Sequence, residues 1–306
     1  MTLQQLKYIT MIVKCGSITD AAKHLYISQP SLSNAVHELE NEMGITIFIR
    51  TQKGIHLSAE GTEFLQYARQ VLEQSNLLEQ RYKNLKPSKQ LCSVSTQHYA
   101  FAVNAFVNII KQLPNDEYEF TLRETRTYEI IEDVKNFKSE IGILYINDFN
   151  KSIITKLLKE RHLKFNMLFT AEPHVFISTK HPLADKKSVR LDELNDYPYL
   201  QFEQQNFNSF YFSEEILSTV AHKKTINVSD RATLFNFLIG LNGYTISSGI
   251  LSHKLNGDNI ISVPLETDEV IDIGYITNTR TYLSTFAKSY INELKKIISN
   301  YGYTVK

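Results

Sequence analysis

Ser28-Gln29-Pro30-Ser31-Leu32-Ser33-Asn34-Ala35-Val36-His37-Glu38-Leu39-Glu40-Asn41-Glu42-Met43, followed by Gly44, reads as one helix with two unlike faces. At about 100° per residue, Leu32, Val36, Leu39 and Met43 fall together and are expected to be buried. Pro30, Asn34, His37 and Asn41 fall opposite. Ser28 is placed to cap the helix, and its first turn tolerates Pro30 because the N–H that proline lacks would be unpaired there anyway. Amides, hydroxyls and an imidazole near a helix N-terminus suit the major groove of duplex DNA, where they donate to or accept from base edges and phosphates. Gln29, Ser31 and Ser33 flank that face. Taken singly, each of these residues also reads as an ordinary solvated polar group.

Two further helices precede this one. Leu3, Leu6, Ile9 and Val13 recur at helical spacing up to Gly16, a suitable terminator. Ser17 stands three residues before Asp20, a capping-box spacing, and Ile18, Ala21, Ala22 and Leu25 form a small apolar face. After Gly44 the pattern changes to Ile45, Ile47 and Ile49 alternating with Thr46, Phe48 and Arg50. Thr51-Gln52-Lys53-Gly54 and Ile55-His56-Leu57 follow, which predicts a β-hairpin. Arg50 and Lys53 sit where a hairpin could lie along a sugar-phosphate backbone, positioning the module without specifying sequence. Lys7, Lys14, Lys23, Arg50 and Lys53 are matched over residues 1–60 by Asp20, Glu38, Glu40, Glu42 and Glu60. Bulk charge therefore gives no attraction, and DNA binding has to rest on the placement of polar groups.

Gly16-Ser17-Ile18-Thr19, Ala21-Ala22, Leu25, Ser28-Gln29-Pro30-Ser31-Leu32-Ser33, Leu39-Glu40, Gly44, Phe48, Arg50, Leu57-Ser58 and Gly61 together resemble the signature of LysR-type transcriptional regulators. The resemblance spans the whole winged module. It departs at Ile47-Phe48-Ile49, where the family usually has a Leu-Phe pair before the arginine, and at Leu57-Ser58, where it usually has Leu-Thr. The resemblance implies a winged helix-turn-helix, with Ser28, Gln29, Pro30, Ser31, Ser33, Asn34, His37, Arg50 and Lys53 as the DNA-binding set.

From Ser58, a plausible cap, Phe64, Ala68, Val71, Ser75, Leu78, Tyr82 and Leu85 step by four and three. This is a coiled-coil seam that calls for a partner helix, and Pro87 closes it. The alternative is an amphipathic helix packed on its own domain. A homodimer would set two recognition helices about 34 Å apart and predicts an inverted-repeat operator.

Beyond Leu91 strand-like and helix-like stretches alternate, as in parallel α/β units. The first set is Leu91 to Thr96, a helix to Lys111, Tyr118 to Thr125, a helix to Phe137, and Ile141 to Ile146. The second set has strands at Val175 to Ser178, Tyr199 to Phe202, Ile226 to Ser229 and Tyr244 to Ser248, with helices at Phe210 to Val220 and Arg231 to Leu241. Two similar halves are expected, with Leu163 to Phe169 and Val270 to Ile276 crossing between them and a last helix over Tyr282 to Asn300. The family resemblance implies a two-lobed α/β fold like that of periplasmic solute-binding proteins, with a ligand in the cleft. The expected organisation is a winged module over 1–58, a linker helix over 59–87 and an effector domain over 88–306. Lobe I would comprise about 88–165 with 275–306, and lobe II about 166–274.

In such sheets ligands sit beyond the carboxyl ends of strands, where helix N-termini offer free N–H groups. Ser95, Thr96, Gln97, His98, Thr125 and Arg126 are the candidates from the first lobe, and Gln201, Phe202, Glu203, Asp230 and Thr233 from the second. Hydroxyls and amide dipoles suit a carboxylate, and Glu203 or Asp230 an amine, so an amino-acid-like effector fits. Each of these residues also reads as an ordinary helix cap. The stretches from Ser95 to Phe106, Arg123 to Glu140 and Asn208 to Leu234 resemble a Gram-positive subgroup of the family linked to methionine and sulfur-amino-acid uptake or to cell-envelope genes. That resemblance implies a sulfur-containing amino acid or its precursor. The family also implies a homotetramer whose DNA-binding dimers change their angle when the lobes close, with RNA polymerase as a possible partner.

Composition bounds the rest. The chain has 306 residues, of which 42% are hydrophobic and 22% charged, with only 11 glycines and 7 prolines, which is globular and long enough for more than one domain. Its 33 basic and 33 acidic residues cancel, which opposes a polycation that coats nucleic acid. Cys15 and Cys92 read as reduced thiols, with a redox role as the alternative. There is no apolar run of membrane length and no charged signal-peptide start, so the expected place is the cytoplasm, away from the membrane. An enzyme is disfavoured: no Gly-x-Ser-x-Gly elbow, phosphate-binding loop or metal-ligand spacing is found, so no catalytic residue, metal or cofactor is expected. The remaining alternatives are a non-specific DNA-binding protein and a solute-binding protein without regulatory coupling.

Overall fold

A computed structural model describes residues 1–51, 54–83, 90–113, 118–204, 209–252 and 257–306, and divides into two compact units, Met1–Ser88 and Lys89–Lys306. Lys53, Leu85 and Pro87, and the side chain of Arg50, lie outside what it describes.

In the first unit α1 (Leu3–Cys15) is capped by Thr2, whose hydroxyl accepts the Gln5 amide while the Gln5 side chain accepts the Thr2 amide. In α2 (Ile18–His24) Ser17 accepts the Asp20 amide, and in α3 (Gln29–Met43) Ser28 accepts the Ser31 amide at 3.2 Å. Gly44 ends α3 at φ 67°, a left-handed turn that L side chains adopt only at a cost. Leu32, Val36 and Leu39 are buried with Ile9, Ile12, Ala21 and Ala22. Each buried leucine contributes about 1.5–3 kcal/mol. Met43, expected in that cluster, is 42% exposed: it is the last helical residue, and the chain turns away at Gly44 before a neighbour can cover it.

The hairpin pairs β1 (Phe48–Thr51) with β2 (Gly54–Leu57), Phe48 opposite Leu57. Glu40 of α3 anchors its base by accepting the amides of Ile47 at 2.7 Å and Phe48 at 3.0 Å. Helix α4 (Ala59–Lys83) starts under the Ser58 hydroxyl, which accepts the Gly61 amide at 2.8 Å. A Cβ on Gly61 would sit 2.1 Å from the Ile47 carbonyl oxygen, so only glycine lets α4 approach the wing so closely. Along the expected seam Phe64 and Ala68 are covered, whereas Val71, Leu78 and Tyr82 are exposed.

The second unit holds a five-stranded sheet. Its order is β4 (Tyr118–Glu124), β3 (Gln90–Thr96), β5 (Ile141–Ile146), β12 (Ile271–Asn278), β6 (Leu163–Ala171). β3 is parallel to β4 and β5, and β12 is antiparallel to β5 and β6. Helices α5 (Ala100–Gln112) and α9 (Thr285–Asn300) pack together through Phe106, Phe286 and Tyr290. Helices α6 (Thr127–Lys135) and α7 (Lys151–Glu160) bury Ile130, Val134, Ile154 and Leu158 with Leu144 of β5 and Ile276 of β12.

A smaller lobe follows β6. β7 (His174–Ser178) lies between β10 (Thr245–Ser247) and β11 (Ile260–Pro264), antiparallel to both. β8 (Tyr199–Phe202) and β9 (Thr225–Val228) form a separate parallel pair, tied to this sheet's loops through Tyr199 and Tyr244. Helix α8 (Arg231–Leu241) seals the lobe by packing Leu234 and Leu238 on Phe176, Leu200 and Val228.

The expectation of two similar parallel halves needs correction, because the smaller lobe is mainly antiparallel. The strands β6 and β12 pair along their whole length inside the large sheet, so neither is split at 166 or 274. The helix expected over Phe210 to Val220 is a single 3-10 turn, Phe210–Phe212. The next residues leave helical geometry, with Leu217 at φ 60°, because Ser213, Glu214 and Glu215 turn into the protein. Helix α7 and strand β11 were not expected. The hydroxyls of Tyr301 and Tyr303, beyond α9, donate to the carbonyls of Leu251 at 2.8 Å and Ser248 at 3.0 Å.

Candidate functional site

In the first unit the outer face of α3 is polar and open. Ser28, Gln29, Pro30, Ser31, Asn34 and His37 are exposed and Ser33 is half-buried, while Leu32, Val36 and Leu39 hold the helix from behind. The Ser28 and Ser31 hydroxyls lie 2.7 Å apart at the helix start. A helix so placed presents its amide dipole and short polar side chains outward, the arrangement that reads base edges and phosphates. Glu40, missed as a functional residue in the sequence reading, fixes the hairpin against this helix; its signal was a carboxylate next to the buried Leu39.

In the second unit the cleft between the lobes is crossed by polar contacts. Arg126, at the start of α6, donates from Nε to the Glu203 carbonyl at 2.9 Å and from Nη2 to Glu203 Oε1 at 2.6 Å. His98, just beyond β3, meets Glu214 twice, through its backbone amide at 3.0 Å and its ring Nδ1 at 2.8 Å. The His98 ring stacks on Phe202 with centroids 3.7 Å apart. Burial disfavours the imidazolium, but the Glu214 carboxylate outweighs it and holds the His98 pKa above its ordinary value. Arg231 Nη2 lies 3.2 Å from Glu124 Oε1 without the alignment of a hydrogen bond. The Tyr145 hydroxyl donates across the gap to the carbonyls of Ser213 and Glu215.

Behind these contacts is a small cavity of about 30 Å³, partly open to solvent, with His98, Phe176, Phe202, Glu214, Glu215, Arg231 and Phe235 in its wall. Glu215 is fully buried. Burial, and then the neighbouring Glu214 charge, push its carboxyl up to about 8, against the opposing pull of the Phe202 amide at 2.7 Å and the Ser213 hydroxyl at 3.2 Å. Both of its oxygens are engaged as acceptors, Oε1 by the Phe202 amide and Oε2 by the Ser213 hydroxyl. A second cavity adjoins at the carboxyl end of β8, lined by Gln201, Phe202, Glu203, Gln204, Ser209 and Asn227.

Of the effector residues expected from sequence, His98 and Phe202 line the first cavity, and Gln201, Phe202 and Glu203 the second. Arg126 bridges the lobes. The others spend their polar groups elsewhere. Ser95 bonds Asp133 and Ser139, Thr96 donates to the Gln97 carbonyl, and Thr125 donates to Glu129. The Gln97 amide is used by Thr127, Tyr99 and the Tyr145 backbone. Asp230 caps α8 by accepting the Thr233 amide and hydroxyl, which lowers its pKa. Glu214, Glu215, Phe176 and Phe235 were not anticipated. The adjacent carboxylates between Phe212 and Ile216 were the available signal.

Known proteins can now be set beside this geometry. Residues 3–62 match the model of the bacterial regulatory helix-turn-helix proteins of the lysR family, and residues 93–297 match the LysR substrate binding domain. Among relatives, the chain is 26% identical over 198 residues to the uncharacterised HTH-type transcriptional regulator YybE of Bacillus subtilis, covering 63% of this chain and 64% of that one. It is 26% identical to the HTH-type transcriptional regulator YtlI of the same organism, covering 92% of this chain and 88% of that one. These relatives are regulators and not enzymes. A mutant OxyR from Corynebacterium glutamicum has the same fold, with a TM-score of 0.53 at 16% identity over 100% of this chain and 98% of that one.

Proposed function

The chain belongs to the LysR family of DNA-binding transcriptional regulators, and from that premise we propose how its own residues perform the task. The outer face of α3, with Ser28 at its cap and Gln29, Pro30, Ser31, Ser33, Asn34 and His37, enters the major groove, while Arg50 and Lys53 lie along the backbone. The observation that carries this reading is the two-sidedness of α3: Asn34 and His37 are exposed while Leu32 and Leu39 are fully buried. Two chains pair through α4, whose Val71, Leu78 and Tyr82 offer an exposed apolar seam. The pair reads an inverted repeat, and two pairs make a tetramer that contacts RNA polymerase.

A small-molecule effector binds in the cleft between the lobes, shifts their closure and thereby changes the angle between DNA-binding dimers. The resemblance to the Gram-positive subgroup puts a sulfur-containing amino acid or its precursor first among effectors to be tried. The protein acts in the cytoplasm; among the described residues no helix is long and apolar enough to cross a membrane.

Footprinting and bend-angle measurement on the DNA upstream of the protein's own gene tests the reading. A discrete inverted-repeat footprint whose bend changes with a bound effector is expected. Equal binding to shuffled DNA, or a bend indifferent to every ligand that binds, overturns it.

A further inference from the structure

Residues 213–215 of the smaller lobe turn inward and are gripped by two residues of the larger one. Glu214 Oε2 accepts the His98 backbone amide at 3.0 Å and faces the His98 ring Nδ1 at 2.8 Å, while Tyr145 donates to the carbonyls of Ser213 and Glu215. The His98 side chain is 5% exposed and that of Glu214 4%. A carboxylate shut out of water in this way holds its donors strongly, because charge-assisted bonds gain as the surroundings become less polar. It also leaves little space. The cavity beside it measures about 30 Å³, room for roughly two water molecules. The adjoining cavity at the end of β8 is lined, among the described residues, by the smaller lobe alone. A molecule that touches both lobes at His98 therefore enters only where Glu214 now sits.

The same joint carries contacts that are not met. Glu214 Oε1, Glu124 Oε1 and Arg231 Nη1 are buried without a hydrogen-bond partner among the described residues. Arg231 of the smaller lobe reaches to 3.2 Å from Glu124 of the larger lobe, yet out of line for a hydrogen bond. Each of these atoms gains water as a partner when the lobes part, whereas buried polar groups in a settled core are rarely left unmet three together. Strong bonds through one oxygen of Glu214 and unmet atoms around it thus oppose each other at one place. That balance is what a two-state element requires.

Resting on the cleft reading above, we propose that Glu214 is a built-in ligand of His98: its carboxylate holds the lobes shut without an effector, and an effector enters by displacing it. Entry of the effector opens this joint; it does not draw the lobes together there. The seat at His98 responds to a carboxylate whether the chain carries it or the solvent supplies it.

Hydrogen exchange of the full chain, read over peptides containing residues 98–102 and 213–217, tests this with acetate as the probe. Glu214→Ala removes the carboxymethyl unit that free acetate can replace. The variant is expected to exchange about 10-fold faster than the parent in both segments, through the loss of charge-assisted bonds. Added acetate should restore protection in the variant and leave the parent unchanged. Acetamide, of the same shape without the charge, and chloride at equal ionic strength should do neither. Glu214→Gln, which keeps the volume, should exchange about 3-fold faster or more and ignore acetate. Parent-like exchange in either variant overturns the proposal, as does a failure of acetate to restore protection. Rescue by acetamide overturns it too, since only volume would then have been lost. Faster exchange spread over the whole second unit in both variants makes Glu214 an ordinary core residue and has the same force. The coupling to DNA is decided separately, by the bend of operator DNA with the parent, Glu214→Ala and the acetate-restored variant. An identical bend in all three, with exchange as expected, leaves the latch standing and refutes the coupling.

Discussion

Arg126 Nη2 lies 2.6 Å from Glu203 Oε1, and the pair joins the two lobes of the second unit at the mouth of the cleft. The Arg126 side chain is 19% exposed and that of Glu203 40%, so the bond is partly screened and contributes at most about 1 kcal/mol to stability. Arg126→Ala is expected to lower the melting temperature little while increasing hydrogen exchange in β8 and the first turn of α6. Unchanged exchange in both segments would show that the bond does not hold the cleft mouth.

Asn34→Ala and His37→Ala are expected to narrow the affinity gap between operator and unrelated DNA, each by about 1–3 kcal/mol if it removes a good base contact. Arg50→Ala should instead weaken binding to both kinds of DNA alike and reduce the salt dependence. Electrophoretic mobility or fluorescence anisotropy against both DNAs at several salt concentrations separates the outcomes. An equal loss for all three variants contradicts the assignment.

Glu215 ties stability to pH. Its carboxyl is raised to about 8 in the fold, so between its ordinary range and pH 8 the folded chain keeps a proton that the unfolded chain has released. Stability from this group is therefore fully present below about pH 4.3 and falls as pH rises through 8, by no more than about 1.4 kcal/mol per pH unit. Thermal melts of Glu215→Gln should show a flatter pH dependence from 5 to 8 than the parent protein. An identical slope would mean that Glu215 is not held protonated.

Glu40 and Gly61 fix the hairpin from opposite sides. Glu40→Ala leaves the Ile47 and Phe48 amides without their acceptor, at a cost of about 1–3 kcal/mol. Gly61→Ala forces a Cβ onto the Ile47 carbonyl and should cost about as much by overpacking. Both should lower the stability of the first unit and weaken DNA binding while leaving ligand binding by the second unit intact, which melting curves and titration distinguish.

The first unit was largely legible because its determinants are local. Ser17 and Ser28 cap, Gly16 and Gly44 terminate, and Leu32, Val36 and Leu39 repeat at helical spacing. Met43 escaped because periodicity does not say where a helix end stands relative to its neighbours. In the second unit, strand alternation located β3, β5 and β8 well, but nothing local told an antiparallel smaller sheet from a parallel one, since β7 is paired by segments far along the chain. The cavity was the least legible part. Residues 213–215 look like a helical continuation until tertiary burial pulls Glu214 toward His98, which lies 116 positions away. Thr96 and Gln97 look like ligand contacts for the converse reason: their position after a strand is right, but their hydrogen bonds are already used inside the lobe.

The bonds from Tyr301 and Tyr303 to Leu251 and Ser248 tie the end of the chain to the smaller lobe. The chain passes between the lobes between β6 and β7 and between β11 and β12, and the two phenols add a third tie between them. On the proposed closure of the cleft, these two tyrosines, which lie outside the cavity linings, tune the threshold of the response without touching its selectivity, leaving set point and selectivity free to drift apart.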